Sequence, residues 1–258
     1  MVAPDNPDTR LKVAKTPLTE QLNQSKSSLL QRYQEKALGE TGLGTLLRYE
    51  LSMLLVGNLP GALGYVARKA LFPKLFRTVG GGVIFGRGLV LRHPGKISLG
   101  DRVAIDDYGS LDASGAGEAG VTLGNDVMIS RNCVIQGKTG PLKIGDRTDI
   151  GCNVVISSIT GISIGHSVLI AGNCYIGGGR YIADRIDVPL MDQGLFSKGP
   201  VTIGDDVWLG AGAIVLDGVT IGKGCIVGAG SVVTKNLPDY SIAVGVPAKV
   251  IKQRSEAS

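Results

Sequence analysis

Two histidines, His93 and His166, are the first residues in this chain to consider for chemistry. An imidazole exchanges its proton near neutrality, so it can act as the base for a hydroxyl or amine that must lose a proton as it attacks. His166 follows Gly165 in a slot that recurring stretches fill with Asp101, Asn125, Asp146, Asp205 and Lys223, a pattern that reads first as a solvent-facing corner residue. His93 precedes Pro94. Of the four cysteines, Cys133, Cys174 and Cys225 recur at equivalent positions and read as buried structural thiols, while Cys152 falls at a corner. Their spacing matches no zinc pattern, and two histidines fall short of a three-histidine zinc site in a single chain, so no metal is expected.

The elements that must position these residues come from a repeat. One phrase recurs six times: Ile97-Ser-Leu-Gly100, Val121-Thr-Leu-Gly124, Leu142-Lys-Ile-Gly145, Ile162-Ser-Ile-Gly165, Val201-Thr-Ile-Gly204 and Val219-Thr-Ile-Gly222. Stepping by six from the third residue of each phrase gives triplets that start at Leu99, Leu123, Ile144, Ile164, Ile203 and Ile221, and all eighteen positions are Leu, Ile or Val. The residue four further on is usually small, as at Val103, Cys133, Thr148 and Ala213. A period of six suits neither a helix nor an alternating strand; it suits a short strand followed by a corner. Three strands and three corners make one coil of a triangular prism with aliphatic rows inside. The glycines that end each phrase are expected to relax the backbone at the corners. Gaps longer than six fall only between triplets, so every insertion leaves at one corner. The longest, residues 177–200, is expected to carry function.

Composition bounds the rest. The 258 residues are 43% hydrophobic but only 5% aromatic, and 39 glycines suit a fold made of corners. The net charge of +5 lies wholly before residue 79, where 11 Lys/Arg meet 6 Asp/Glu; the remainder balances at 16 each. A neutral prism gives no nucleic-acid signature. Residues 1–28 read as a polar, poorly ordered tail, with a helix starting near Ser28. Residues 51–67 carry no charge, are broken by Asn58-Leu-Pro-Gly61 and are flanked by basic residues. This pattern suits a helix-break-helix on the inner face of a membrane, with contact through 46–77, or a cap over the open lower end of the prism. No signal peptide opens the chain, so a cytoplasmic location, peripheral to the membrane, is expected. Residues 29–78 thus form a helical segment, 79–237 the prism beginning with an irregular coil around Phe85 and Leu91, and 238–258 a closing segment and tail.

The repeats, with the closing phrase Ala243-Val-Gly-Val-Pro-Ala-Lys-Val-Ile251, resemble the hexapeptide-repeat acyltransferases, nearest to the galactoside, streptogramin and polysaccharide O-acetyltransferase type. The resemblance implies an all-β, left-handed parallel β-helix assembled as a homotrimer, with acetyl-CoA or another acyl-CoA between two prisms. It also implies a loop histidine that deprotonates the acceptor. Trp208-Leu-Gly-Ala211 and Gly228-Ala-Gly-Ser-Val-Val-Thr-Lys235 are similar to the family's CoA-lining coils. This implies cofactor contacts at Trp208, Ala211, Ala229, Thr234, Lys235 and, from the closing phrase, Lys249 or Lys252.

The loop departs from the family at the base. Aligned on the streptogramin-type pattern, Asp184 and Pro189 fall in register, but the histidine position is Tyr181. The candidate bases are therefore Asp184, then His166 from a neighbouring subunit, then Tyr181, whose phenol needs the largest pKa change. His93 lies four coils below Ile176, roughly 19 Å away. Two functions follow: a CoA-dependent O-acetyltransferase acting on a sugar hydroxyl of a polysaccharide or lipid-linked saccharide, or a catalytically silent trimeric scaffold or sugar-binding module.

Overall fold

The structure, a computed structural model, describes residues 11–12 and 28–254; most of the predicted tail lies outside them. Six-residue periodicity closes into a left-handed parallel β-helix of about seven coils. Face one stacks Thr78–Val79, Ile97–Leu99, Val121–Leu123, Leu142–Ile144, Ile162–Ile164, Val201–Ile203 and Thr220–Ile221. Face two runs from Ile84–Phe85 up to Ile226–Val227, and face three from Val90–Arg92 up to Val232–Val233. Parallel register aligns like with like: Leu111 lies beside Ile135, Ile135 beside Ile156, and Ile156 beside Ile176. All eighteen repeat positions are buried, none more than 3% exposed, as are Cys133, Cys174 and Cys225, whose thiol pKa values burial pushes up.

Two expectations are corrected. The first coil is regular, because Val79, Phe85 and Leu91 keep the six-residue step and pair in register with Leu99, Ile105 and Leu111. The phrase-ending glycines are not the residues that take the left-handed conformation. That falls two positions later, on Arg102, Asp126, Arg147, Ser167 and Asp206. Gly100 is required for another reason: a Cβ there would lie 2.6 Å from the carbonyl carbon of Gly124 in the next coil.

The N-terminal residues close the base. Helix α1 (Leu29–Ala37) opens with a capping box in which Ser28 and Gln31 satisfy each other's backbone N–H. Helix α2 (Leu43–Val56) and helix α3 (Gly61–Leu71) are separated by the predicted Pro-Gly break. They bury Leu46, Tyr49 and Val56 against the first coil, and the Tyr49 hydroxyl donates to the Leu91 carbonyl at 2.9 Å. At the top the winding runs beyond Leu237: Ser241–Val244 pairs with Ile226–Val227 in parallel, and Lys249–Gln253 folds back antiparallel on it.

Candidate active site

Side chains pointing outward distinguish the three faces. Face one presents Ser98, Thr122, Lys143, Ser163, Thr202 and Thr220, a polar surface. Face two presents Ile84, Ala104, Met128, Leu169, Trp208 and Ile226, broken only by Asp149 in this series. Face three presents Val90, Val134, Val155, Tyr175, Ile214 and Val232, with Ser110. Met128, Leu169 and Trp208 are each about half exposed, with Asp149 standing between the first two.

All the insertions leave at the corner between faces three and one. The long insertion is a short antiparallel hairpin, Arg180–Tyr181 against Leu195–Ser197, and the latter also pairs with Leu11–Lys12. Its root is fixed by Asp217, a buried carboxylate that repeat spacing did not single out. The Asp217 carboxylate accepts the Lys198 N–H at 2.6 Å and lies against Gly178, where an added Cβ would sit 3.1 Å from both the Asp217 N and Oδ1. Beyond the root, Gln193 ties the outer loop together through the N–H of Arg185 and the carbonyls of Arg185 and Val188. Tyr181 and Asp184 are both exposed on this loop.

Beneath the loop root, a half-buried polar row climbs the edge of face three. Arg92, Asp112, Gln136 and Ser157 occupy successive coils in register. Asp112 accepts from the Ser114 N–H at 2.8 Å and from Gln136 Nε2 at 3.2 Å, so the row is held in place. Its members are 20 or more residues apart in sequence and form no motif, so sequence reading missed them.

The histidines are placed elsewhere. His166 belongs to a ladder on the corner between faces one and two, where each side chain accepts a backbone N–H from the neighbouring coil. Asn125 takes that of Asp101 (2.8 Å), Asp146 that of Asn125 (2.7 Å), and Asp205 that of His166 (2.7 Å). His166 Nδ1 accepts from the Asp146 N–H at 3.1 Å, which places the ring proton of the neutral form on Nε2. In that tautomer the outward nitrogen carries the proton. Within one chain the loop corner is also five residues of extended backbone away, roughly 16 Å. His93 is buried, its Nε2–H donating to the Glu35 carbonyl at 2.8 Å, and it pins α1 to the prism.

The expected CoA contacts fall in two groups. Trp208 points out from face two, and Ala211 and Ala229 stack at the corner of faces two and three, the Ala211 carbonyl accepting from the Gly230 N–H at 2.8 Å. Lys249 and Lys252 lie exposed on the returning strand beside Val244 and Ile242. Thr234 and Lys235 lie across face three, at the loop corner. One chain therefore does not bring all seven together.

Two family models match the chain: the bacterial transferase hexapeptide (six repeats) over residues 200–235, and the hexapeptide repeat of succinyl-transferase over 141–177. Both matches fall within the prism, and they show that the chain carries the hexapeptide repeats of bacterial transferases. This hexapeptide-repeat protein is 45% identical over 136 residues to a probable acetyltransferase of Mycobacterium tuberculosis, covering 53% of this chain and 45% of that protein. It is 43% identical over 82 residues to a 2,3,4,5-tetrahydropyridine-2,6-dicarboxylate N-acetyltransferase of Staphylococcus aureus, covering 32% and 31% of the two chains. The chain thus spans less than half the length of these curated relatives. Among solved structures it resembles AntD, an N-acyltransferase from Bacillus cereus, in complex with dTDP-4-amino-4,6-dideoxyglucose and coenzyme A. That match has a TM-score of 0.53, 25% identity, and coverage of 73% of this chain and 90% of the other.

Proposed function

We propose that this protein is a CoA-dependent acyltransferase that works as a homotrimer and transfers an acetyl group to a saccharide. The observation that carries the reading is the prism shared with 90% of the AntD chain, whose structure holds coenzyme A and an amino sugar nucleotide. Two adjacent apolar faces support the trimer, because a prism in a three-fold ring covers two of its faces and leaves the third, here the polar face one, to solvent. In that arrangement face two of one prism meets face three of the next, and the two groups of expected CoA contacts line opposite walls of one groove.

The acceptor sits over the row of Arg92, Asp112, Gln136 and Ser157, below the loop. Its hydroxyl attacks the thioester carbonyl and gives its proton to a carboxylate, for which Asp184 is the first candidate; CoA leaves as the thiol and the sugar becomes an ester. A sugar hydroxyl of a polysaccharide or lipid-linked saccharide is the acceptor we favour. The amino sugar on AntD and the N-acetyltransferase relative favour an amine as the second reading. Calorimetry with acetyl-CoA and with CoA tests the proposal. Saturable binding of both is expected, whereas no binding of either would leave a silent scaffold or sugar-binding module.

A further inference from the structure

The helical layer beneath the prism has two faces, and only one is used. On α2 the buried residues Leu46, Tyr49, Ser52 and Val56 face the first coil. At about 100° per residue, Leu43, Leu47, Leu51, Leu54 and Leu55 fall on the opposite side in a stripe spanning roughly 120°. These five are between 51% and 80% exposed, and Leu63 and Val66 of α3 continue the surface at 71% and 61%. A helix in a soluble protein rarely carries leucine on both sides.

The surroundings of that stripe are cationic. Residues 29–77 hold seven Lys/Arg against three Glu. Arg48 stands at the stripe's border, next to Leu47, and opens into a cleft of about 300 Å³ lined also by Lys74, Arg77 and Lys96, with Glu40 and Glu118 as its acids. Glu118 is engaged by Lys96 Nζ at 3.2 Å, and its carbonyl accepts from Arg77 at 3.0 Å. Arg48 and Lys74 make no ion pair among the described residues. A leucine surface with an unneutralised basic cleft at its border has the chemistry of an anionic phospholipid surface: acyl chains for the stripe, a headgroup phosphate for the cleft. A second copy of the chain would set these cations against their own kind.

We propose that α2 and α3 dock the protein on an anionic bilayer, lying in its surface, with the Arg48, Lys74, Arg77 and Lys96 cleft taking a lipid phosphate. No helix among the described residues is long and apolar enough to cross a membrane, so the contact is from one side. The stripe points away from the prism, which therefore stands off the surface and holds the loop root four coils up, roughly 19 Å above the first. This inference stands independently of acyl transfer.

Flotation of the full chain with mixed phosphatidylcholine and phosphatidylglycerol vesicles tests it, with pure phosphatidylcholine vesicles and high salt as comparisons. Binding to the mixed vesicles is expected, weakened by salt and by removing the anionic lipid. Leu47→Glu with Leu54→Glu should lower binding about tenfold or more for each residue, and Arg48→Gln with Lys74→Gln about fivefold for each. All four residues are exposed, so the folded state should be retained, as a melting curve would verify. Equal binding to both vesicle types, or unchanged binding by either double variant, overturns the proposal. So does a leucine double variant that changes the oligomeric state while the parent protein ignores vesicles, because the stripe would then be a contact between copies.

Discussion

The Arg68 guanidinium reaches from α3 to the Phe85 carbonyl of the first coil at 2.9 Å. The same side chain donates to Val56 at 3.1 Å and Leu59 at 2.7 Å, so a single buried cation closes the α2–α3 elbow and fastens it to the prism. Burial pulls its pKa down, with the Asp107 charge acting in the opposite direction. Arg68→Met leaves three carbonyls without this donor and should lower stability by about 3 kcal/mol or more. Arg68→Lys should recover little, since an ammonium lacks the planar fork that spans three acceptors. Urea unfolding followed by circular dichroism measures both.

Burial at His93 gives stability a pH dependence. Its pKa is lowered, chiefly by desolvation, while the bond to Glu35 acts the other way. Protonation is therefore easier in the unfolded chain. The stability contribution is complete above the unfolded value of about 6.5 and is lost as pH falls from there towards the lower folded value. Melting temperature measured between neutral and mildly acidic pH should fall more steeply for the parent protein than for His93→Gln.

If faces two and three meet between subunits, a charge placed at mid-height should separate them. Leu169→Arg is expected to convert a trimer into monomers by light scattering and to abolish acetyl transfer, while the melting curve stays cooperative. A parent protein that is already monomeric and active would remove the trimer from the proposal.

The loop and the upper coils should divide catalysis from binding. Asp184→Asn is expected to lower turnover by about 10² to 10⁴ with acetyl-CoA binding nearly unchanged. Lys235→Ala is expected to weaken acetyl-CoA binding about tenfold through one lost charge-assisted contact. Tyr181→Phe and His166→Ala complete the series. Full activity in Asp184→Asn together with loss in His166→Ala would move the base to the neighbouring subunit's corner.

What was legible in the sequence was what periodicity carries. Leu99, Ile105, Leu111 and their counterparts declare the rows, because a solenoid core is written at constant spacing, and the helix break at Pro60-Gly61 is local chemistry. The first coil was harder to read because Arg77 stands where the recurring phrase opens with an aliphatic residue and Gly81-Gly82 follow it, although the hydrophobic step survives. Arg92, Asp112, Gln136 and Ser157 become neighbours only after insertions of unequal length are removed, and unequal insertions defeat any fixed spacing. The role of His166 depends on which ring nitrogen meets the Asp146 N–H, a property of stacked backbones and not of the residue's type.

The closing strand, Lys249–Gln253, has a consequence for how long this object can grow. Stacked parallel coils have no natural end: each offers the next the same row of N–H and carbonyl groups, so two bare ends would join and go on joining. Here the upper end meets a strand of opposite direction, and the lower end meets helices whose backbone groups are already satisfied within themselves. The two terminal pieces act as stoppers on what would otherwise be a fibre, and they fix its length at a single molecule.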